Sequence, residues 1–175
     1  MPSGSWKDIA EFFGIGAIVA SLIFVGLQMQ QSQEIAVGAQ YQERASAAIE
    51  NYMSQIQSNQ ALINRGQRLI NAASSSSYPI VIKNLIETAG PESAAVTYLL
   101  YRSKMTMMDN CYFQFESDFM DEDAWLAMRR RLKNLLSDDV FAAMYRSESW
   151  KFRSSFQKEI SQLFAELDAG GVRAE

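Results

Sequence analysis

Phe12-Phe-Gly-Ile-Gly-Ala-Ile-Val-Ala-Ser-Leu-Ile-Phe-Val-Gly-Leu27 is the stretch that decides the fold. It belongs to an uncharged run from Phe12 to Gln33. Extended to Ala10 and Met29, it reaches the roughly 20 residues, at about 1.5 Å each, that a helix needs to cross a bilayer. The leading segment holds Lys7 but also Asp8 and Glu11, a poor positive region for a signal peptide, and the nearest small-residue pattern, Ala36-Val37-Gly38, lies well beyond Leu27. An uncleaved anchor is therefore expected, in preference to a signal peptide or a buried helix of a soluble core. Trp6 stands where interfacial tryptophans are usually placed. Ser5 with Asp8 three positions on resembles a capping box.

Working outward, no breaker stronger than glycine follows until Ser58-Asn59, so the first helix is expected from Trp6 to about Gln57. Along it, alternating steps of four and three pick out Ala10, Gly14, Ala17, Ser21, Phe24, Gln28, Gln31, Ile35, Gly38, Gln42, Ala45, Ile49, Tyr52 and Ile56. Small residues at this spacing allow close helix approach in lipid, and the later positions form an apolar seam. The stripe is either an association surface, formed by Gly14, Ala17, Ser21, Gln28, Gln31, Ile49, Tyr52 and Ile56, or a seam that packs on its own domain.

The remainder reads as short polar helices. Ser58 caps a helix over Asn59 to Ala72, Pro79 opens a second, and Gly90-Pro91 ends it and starts a third that runs to about Asp118. In that third helix an apolar stripe is expected at Val96, Leu100, Met107, Met108, Cys111, Tyr112, Phe115 and Phe119. Asp121, Ser137 and Ser149 are the expected caps of the last three helices. The fold class is all-α: one N-terminal transmembrane helix continuing into a long helix, then a compact helical bundle. The expected segments are an anchor over 1–33, a rod over 34–57, a bundle over 58–168 and a flexible tail over 169–175.

Composition excludes several functions. Net charge is −4 in 175 residues, which argues against nucleic acid as a partner. There is no histidine, so the usual general base and commonest metal ligand are missing. Cys111 is the sole cysteine and lies between apolar neighbours, as a buried structural thiol does. Asp121-Glu122-Asp123 reads as helix capping and dipole pairing, not as a metal site. No cofactor, metal site or catalytic residue is expected.

Two polar groupings remain. Asp109 and Asn110, with Gln114, lie inside an apolar helix and must find hydrogen bonds there, from Arg102, Arg129 or a facing helix end, or else from a ligand. Arg129, Arg130 and Lys133, with Arg131, form a basic cluster that reads either as a contact for anionic lipid or an acidic partner, or as a solvated face.

Val25-Gly26-Leu27-Gln28-Met29-Gln30-Gln31, then Asp109-Asn110-Cys111-Tyr112-Phe113-Gln114, then Trp125 and the spaced Phe152 and Phe156, carry a resemblance over nearly the whole chain. The chain resembles a group of uncharacterised small bacterial proteins with an N-terminal membrane anchor and a helical domain. The resemblance implies a single-pass protein of the bacterial inner membrane and brings no activity with it. Members often carry Arg or Lys just after the membrane helix, which would place the domain in the cytoplasm; Met29 and Gln30 stand there in this chain. The expected function is non-enzymatic, an assembly or accessory subunit whose anchor packs on a second copy or on a larger integral membrane complex, with lipid as its surroundings. Alternatives are a homo-oligomeric pore lined by Ser21, Gln28 and Gln31, and a tethered ligand-sensing bundle using Asp109, Asn110 and Gln114.

Overall fold

The structure, a computed structural model, describes residues 4–171, with the side chains of residues 5, 8 and 170 outside the description. Seven α-helices and no strand are present among the described residues: α1 Gly4–Gln57, α2 Asn59–Ala73, α3 Ile80–Ala89, α4 Pro91–Glu116, α5 Glu122–Leu136, α6 Asp139–Glu148 and α7 Ser154–Gly171, with a 3-10 turn at Ser149–Lys151. The expected all-α class is what forms. The chain divides into two compact units, Met1–Gln40 and Tyr41–Glu175. The division falls at Gln40, within the rod expected over 34–57, and the residues after it belong with the bundle. Ser5 is already helical, and its capping box with Asp8 lies outside the described side chains. α7 continues through Gly171, past residue 169 where a flexible tail was expected to begin; residues 172–175 lie outside the description.

The described residues of the first unit belong to α1, a helix that is long and apolar enough to cross a membrane. Its apolar side chains have no interior to enter. Phe12, Leu22 and Phe24 are 77%, 67% and 60% exposed, and none of its apolar window is buried.

The second unit is built around α4, which packs against α2, α3, α5, α6 and α7. Being surrounded explains why its buried residues do not follow one stripe. Ala94, Ala95, Leu99, Tyr101, Met105, Met108 and Cys111 are buried, whereas Met107 and Phe119, expected in the core, are exposed and Val96, Leu100, Tyr112 and Phe115 are half-buried. Phe156, Ile160, Leu163, Leu132, Trp125 and Met144 complete the core, each large side chain contributing about 1.5–3 kcal/mol by leaving water. A smaller cluster of Leu69, Ala94 and Ala95 lies where α2 meets the start of α4. There Gly66 is so close to α4 that an added Cβ would stand 2.9 Å from the Pro91 carbonyl oxygen.

The helix ends follow local chemistry. Ser58 accepts from the Ala61 amide and Asp121 from the Ala124 amide, as expected. Pro79 is the N-cap of α3, one position before the helix starts, and Gly90 breaks α3 from α4 with a φ of 83° that only glycine adopts freely. Asp138, not Ser137, caps α6, because its carboxylate reaches both the Val140 and Phe141 amides at 3.0 Å; Ser137 instead ends α5. Ser149 opens the 3-10 turn, and α7 starts only at Ser154. α4 stops at Glu116 in a Schellman arrangement: the Phe119 amide donates to the Gln114 carbonyl at 2.8 Å and the Asp118 amide to Phe115, with Asp118 left-handed at φ 58°.

Candidate functional site

Asp109 and Asn110 sit near the C-terminal end of α4, where that helix faces the second half of α1 and the turn before α7. Arg153 stands between them all. Its Nε donates to the Asp109 carboxylate at 3.1 Å, and one terminal nitrogen donates to the Asp109 backbone carbonyl at 2.7 Å. The other donates to Glu116 at 3.0 Å, and the Ser155 hydroxyl donates to that same Glu116 oxygen at 2.9 Å. The guanidinium also lies against three rings, with its carbon 5.0 Å from the Phe113 centroid, 5.3 Å from Tyr41 and 5.9 Å from Tyr112. Tyr41 and Phe113 stack face to face, centroids 4.1 Å apart and 18° from parallel. The partner of Asp109 is therefore Arg153. Arg102 and Arg129, the arginines expected for it, are engaged elsewhere.

Beside this cluster lies a cavity of about 240 Å³ lined by Tyr41, Arg44, Ala45, Thr106, Asp109 and Asn110. The Asn110 side-chain oxygen is buried and has no hydrogen-bond partner. Burial raises the Asp109 carboxyl above its ordinary range, while Arg153 pulls it back down and Glu116 adds to the rise. The Tyr41 phenol is also raised, first by burial and then by the Asp109 charge. Gln114 is half-buried on the next turn, and its backbone carbonyl serves the end of α4. Cys111 is buried, and burial pushes its thiol up, so it is a weak nucleophile.

A second network holds the rod. Glu148 accepts from the Tyr98 hydroxyl at 2.8 Å, from Lys151 at 2.6 Å and from Arg102 at 3.4 Å. Arg102 also donates to the Tyr52 hydroxyl at 3.2 Å, and Arg65 donates to Gln55 at 3.0 Å. Tyr52, Ile49 and Ile56 are half-buried, and Tyr52 is committed to a contact within its own unit. Gly14, Ala17, Ser21, Gln28 and Gln31 are exposed on the first unit, and a Cβ built on Gly14 meets nothing within 4 Å.

Two members of the expected basic cluster are not free for a lipid or partner. Arg129 donates to Glu159 at 2.6 Å and to Glu166, and Lys133 donates to Glu166 at 3.0 Å. These two cations hold the Glu166 carboxyl down at about 2, the Arg129 bond being the larger cause. Arg130 is exposed and, among the described residues, bonds only to the Leu126 carbonyl within its own helix. The cluster divides this way because neighbouring helix positions point to different faces whereas Arg129 and Lys133, four apart, share one, and both pair with acids of α7.

Among the described residues, no group of three or more acidic or sulfur ligands gathers to hold a metal. Comparison with protein-family models, with curated proteins and with solved structures finds no match. The function of the chain has to be read from its own geometry.

Proposed function

We propose that this chain is a single-span membrane protein that acts as an assembly or accessory subunit and performs no chemistry of its own. Its N-terminal helix lies across a bilayer and packs there on a second copy or on a larger integral membrane protein, and its bundle stands in water. On the resemblance drawn from the sequence, the membrane is the bacterial inner membrane.

One observation carries this reading: apolar side chains on every side of the helix between Ile9 and Met29 are exposed. A helix satisfies its own backbone hydrogen bonds, so the same surface that is unfavourable in water is favourable in hydrocarbon. Within that surface, Gly14, Ala17 and Ser21 make one face thin, which lets a neighbouring helix approach its backbone. Gln28 and Gln31 extend the face to the membrane exit, where their amides can hydrogen-bond to a partner. Ile49 and Ile56 add apolar area only where their half-buried surfaces remain open.

The test is assembly of the full chain in a mild detergent. Gly14→Leu with Ala17→Leu is expected to shift the complex toward the free chain in sedimentation or native mass measurements. Unchanged assembly would remove this face as the contact.

A second reading is favoured by the unpartnered Asn110 oxygen beside the small cavity. In it the bundle also senses a small polar ligand, with Asp109 and Asn110 as its contacts. A thermal-shift screen of the full chain tests this, and a stabilising ligand must lose its effect in Asn110→Leu.

A further inference from the structure

A larger cleft, of about 530 Å³, opens on another side of the bundle. Its walls come from α2, the turn before α3, α4, α6 and the 3-10 turn. Arg65, Arg68 and Lys151 line it, and the single carboxylate in the wall is Glu148. Arg102, which lies outside the lining, pairs with Glu148. Lys151 pairs with Glu148 as well, so that carboxylate faces two cations, while Arg65 and Arg68 have no carboxylate partner among the described residues, in a protein whose net charge is −4.

Their bonding leaves them able to take an anion. Among the described residues, Arg65 has only the neutral Gln55 amide oxygen and the face of the Tyr98 ring. Arg68 is exposed and has no hydrogen-bond or ion-pair partner among the described residues. Lys151 uses one of its three donors on Glu148. At the same wall stands Pro79, the N-cap of α3. The floor is different in kind: Leu69, Ile82 and Met144 with the Tyr78 and Tyr98 rings.

We propose that this cleft binds a phosphorylated small molecule, with the phosphate held by Arg68, Lys151 and Arg65 and the organic body lying on the Tyr78 and Tyr98 floor. Arginine forks and lysine ammonium groups match phosphate oxygens, and the cleft is within the size range of small-ligand sites, about 300–1,000 Å³. The site is independent of the membrane reading. The same phosphate chemistry is available from a free metabolite or from the headgroup of an anionic phospholipid, and the two sources are separated below.

The full chain in a neutral detergent is titrated calorimetrically with adenosine monophosphate, with inorganic pyrophosphate and with glycerol 3-phosphate. It is also placed in nanodiscs with and without phosphatidylglycerol. Binding is expected to weaken by at least about tenfold in Arg68→Ala with Lys151→Ala, since each charge-assisted bond lost is worth roughly a decade. Both positions are on the surface, and circular dichroism verifies the fold. Lys104→Ala with Lys158→Ala removes the same charge at exposed positions outside the cleft and must leave affinity unchanged. Tighter binding of adenosine monophosphate and pyrophosphate than of glycerol 3-phosphate or the phosphatidylglycerol discs assigns the site to a free phosphate compound. Binding confined to glycerol 3-phosphate and to phosphatidylglycerol discs assigns it to the headgroup. No binding of any probe at millimolar concentration, or equal loss in the two double variants, overturns the proposal.

Discussion

Arg153→Met removes the residue on which the Asp109 cluster converges while keeping most of the side chain's volume. In the folded protein it takes away the donors to the Asp109 carboxylate, the Asp109 carbonyl and Glu116 and leaves Asp109 without a cation. Truncating one partner of a fully buried pair costs about 3–5 kcal/mol. Here the side chains are 23% and 15% exposed, so water recovers part of the loss, and about 2–3 kcal/mol is expected. The loss should depend on pH with a definite sign. The Asp109 carboxyl already sits above its ordinary value in the folded state, and without Arg153 it rises further. A raised folded value means that the folded form takes up the proton first as pH falls. The deficit of the variant is therefore largest well above that value, shrinks as pH drops through it, and levels off once pH is below the folded value of the wild type as well. Urea unfolding of the full chain, followed by the fluorescence of the buried Trp125, measures it at pH of about 8 and about 5. Asp109→Asn introduced into Arg153→Met should restore about 1–2 kcal/mol at the higher pH and little at the lower. An equal deficit at both pH values, or no recovery with Asn, would refute the reasoning that an unpaired Asp109 charge is the cause.

Two further substitutions test the packing. Gly66→Ala sets about 1 kcal/mol of gained helix propensity against a Cβ placed 2.9 Å from the Pro91 carbonyl oxygen and 3.0 Å from its carbon; because the obstacle is backbone, a net loss of about 1–3 kcal/mol is expected in urea unfolding, and a gain would mean that α2 moves freely on α4. Tyr101 is fully buried with an unpartnered hydroxyl, so Tyr101→Phe should be neutral or stabilising by up to about 2 kcal/mol; a clear loss of stability would reveal a hydrogen bond that the structure lacks.

Features that depend on neighbouring residues were legible in the sequence. Ser58 and Asp121 cap their helices because a side-chain oxygen and an amide three positions on are close in any chain that turns there. The exposed helix was legible because apolar residues on all its faces leave no side for water. Ser137 was expected to cap α6, and the neighbouring Asp138 takes that place because its carboxylate reaches two amides. The α4 core was misjudged because a helix covered from several sides has no single stripe to find. Asp109 and Asn110 stood out as polar residues in an apolar helix, but nothing local pointed to Arg153, 44 positions away. The turn Ser149–Lys151, which offsets the start of α7, sets that meeting. The basic cleft joins residues of α2 to Lys151 in the same way, and only packing brings them to one wall.

The central claim is that the N-terminal helix spans a bilayer. Cys111 is buried, so it is a quiet background for single added cysteines. Lys7→Cys and Ser32→Cys lie about 38 Å apart along a helix, close to the full thickness of a membrane. Labelling in sealed membrane vesicles with an impermeant maleimide, before and after permeabilisation, should find the two positions on opposite faces. Both labelled from the same face would contradict it.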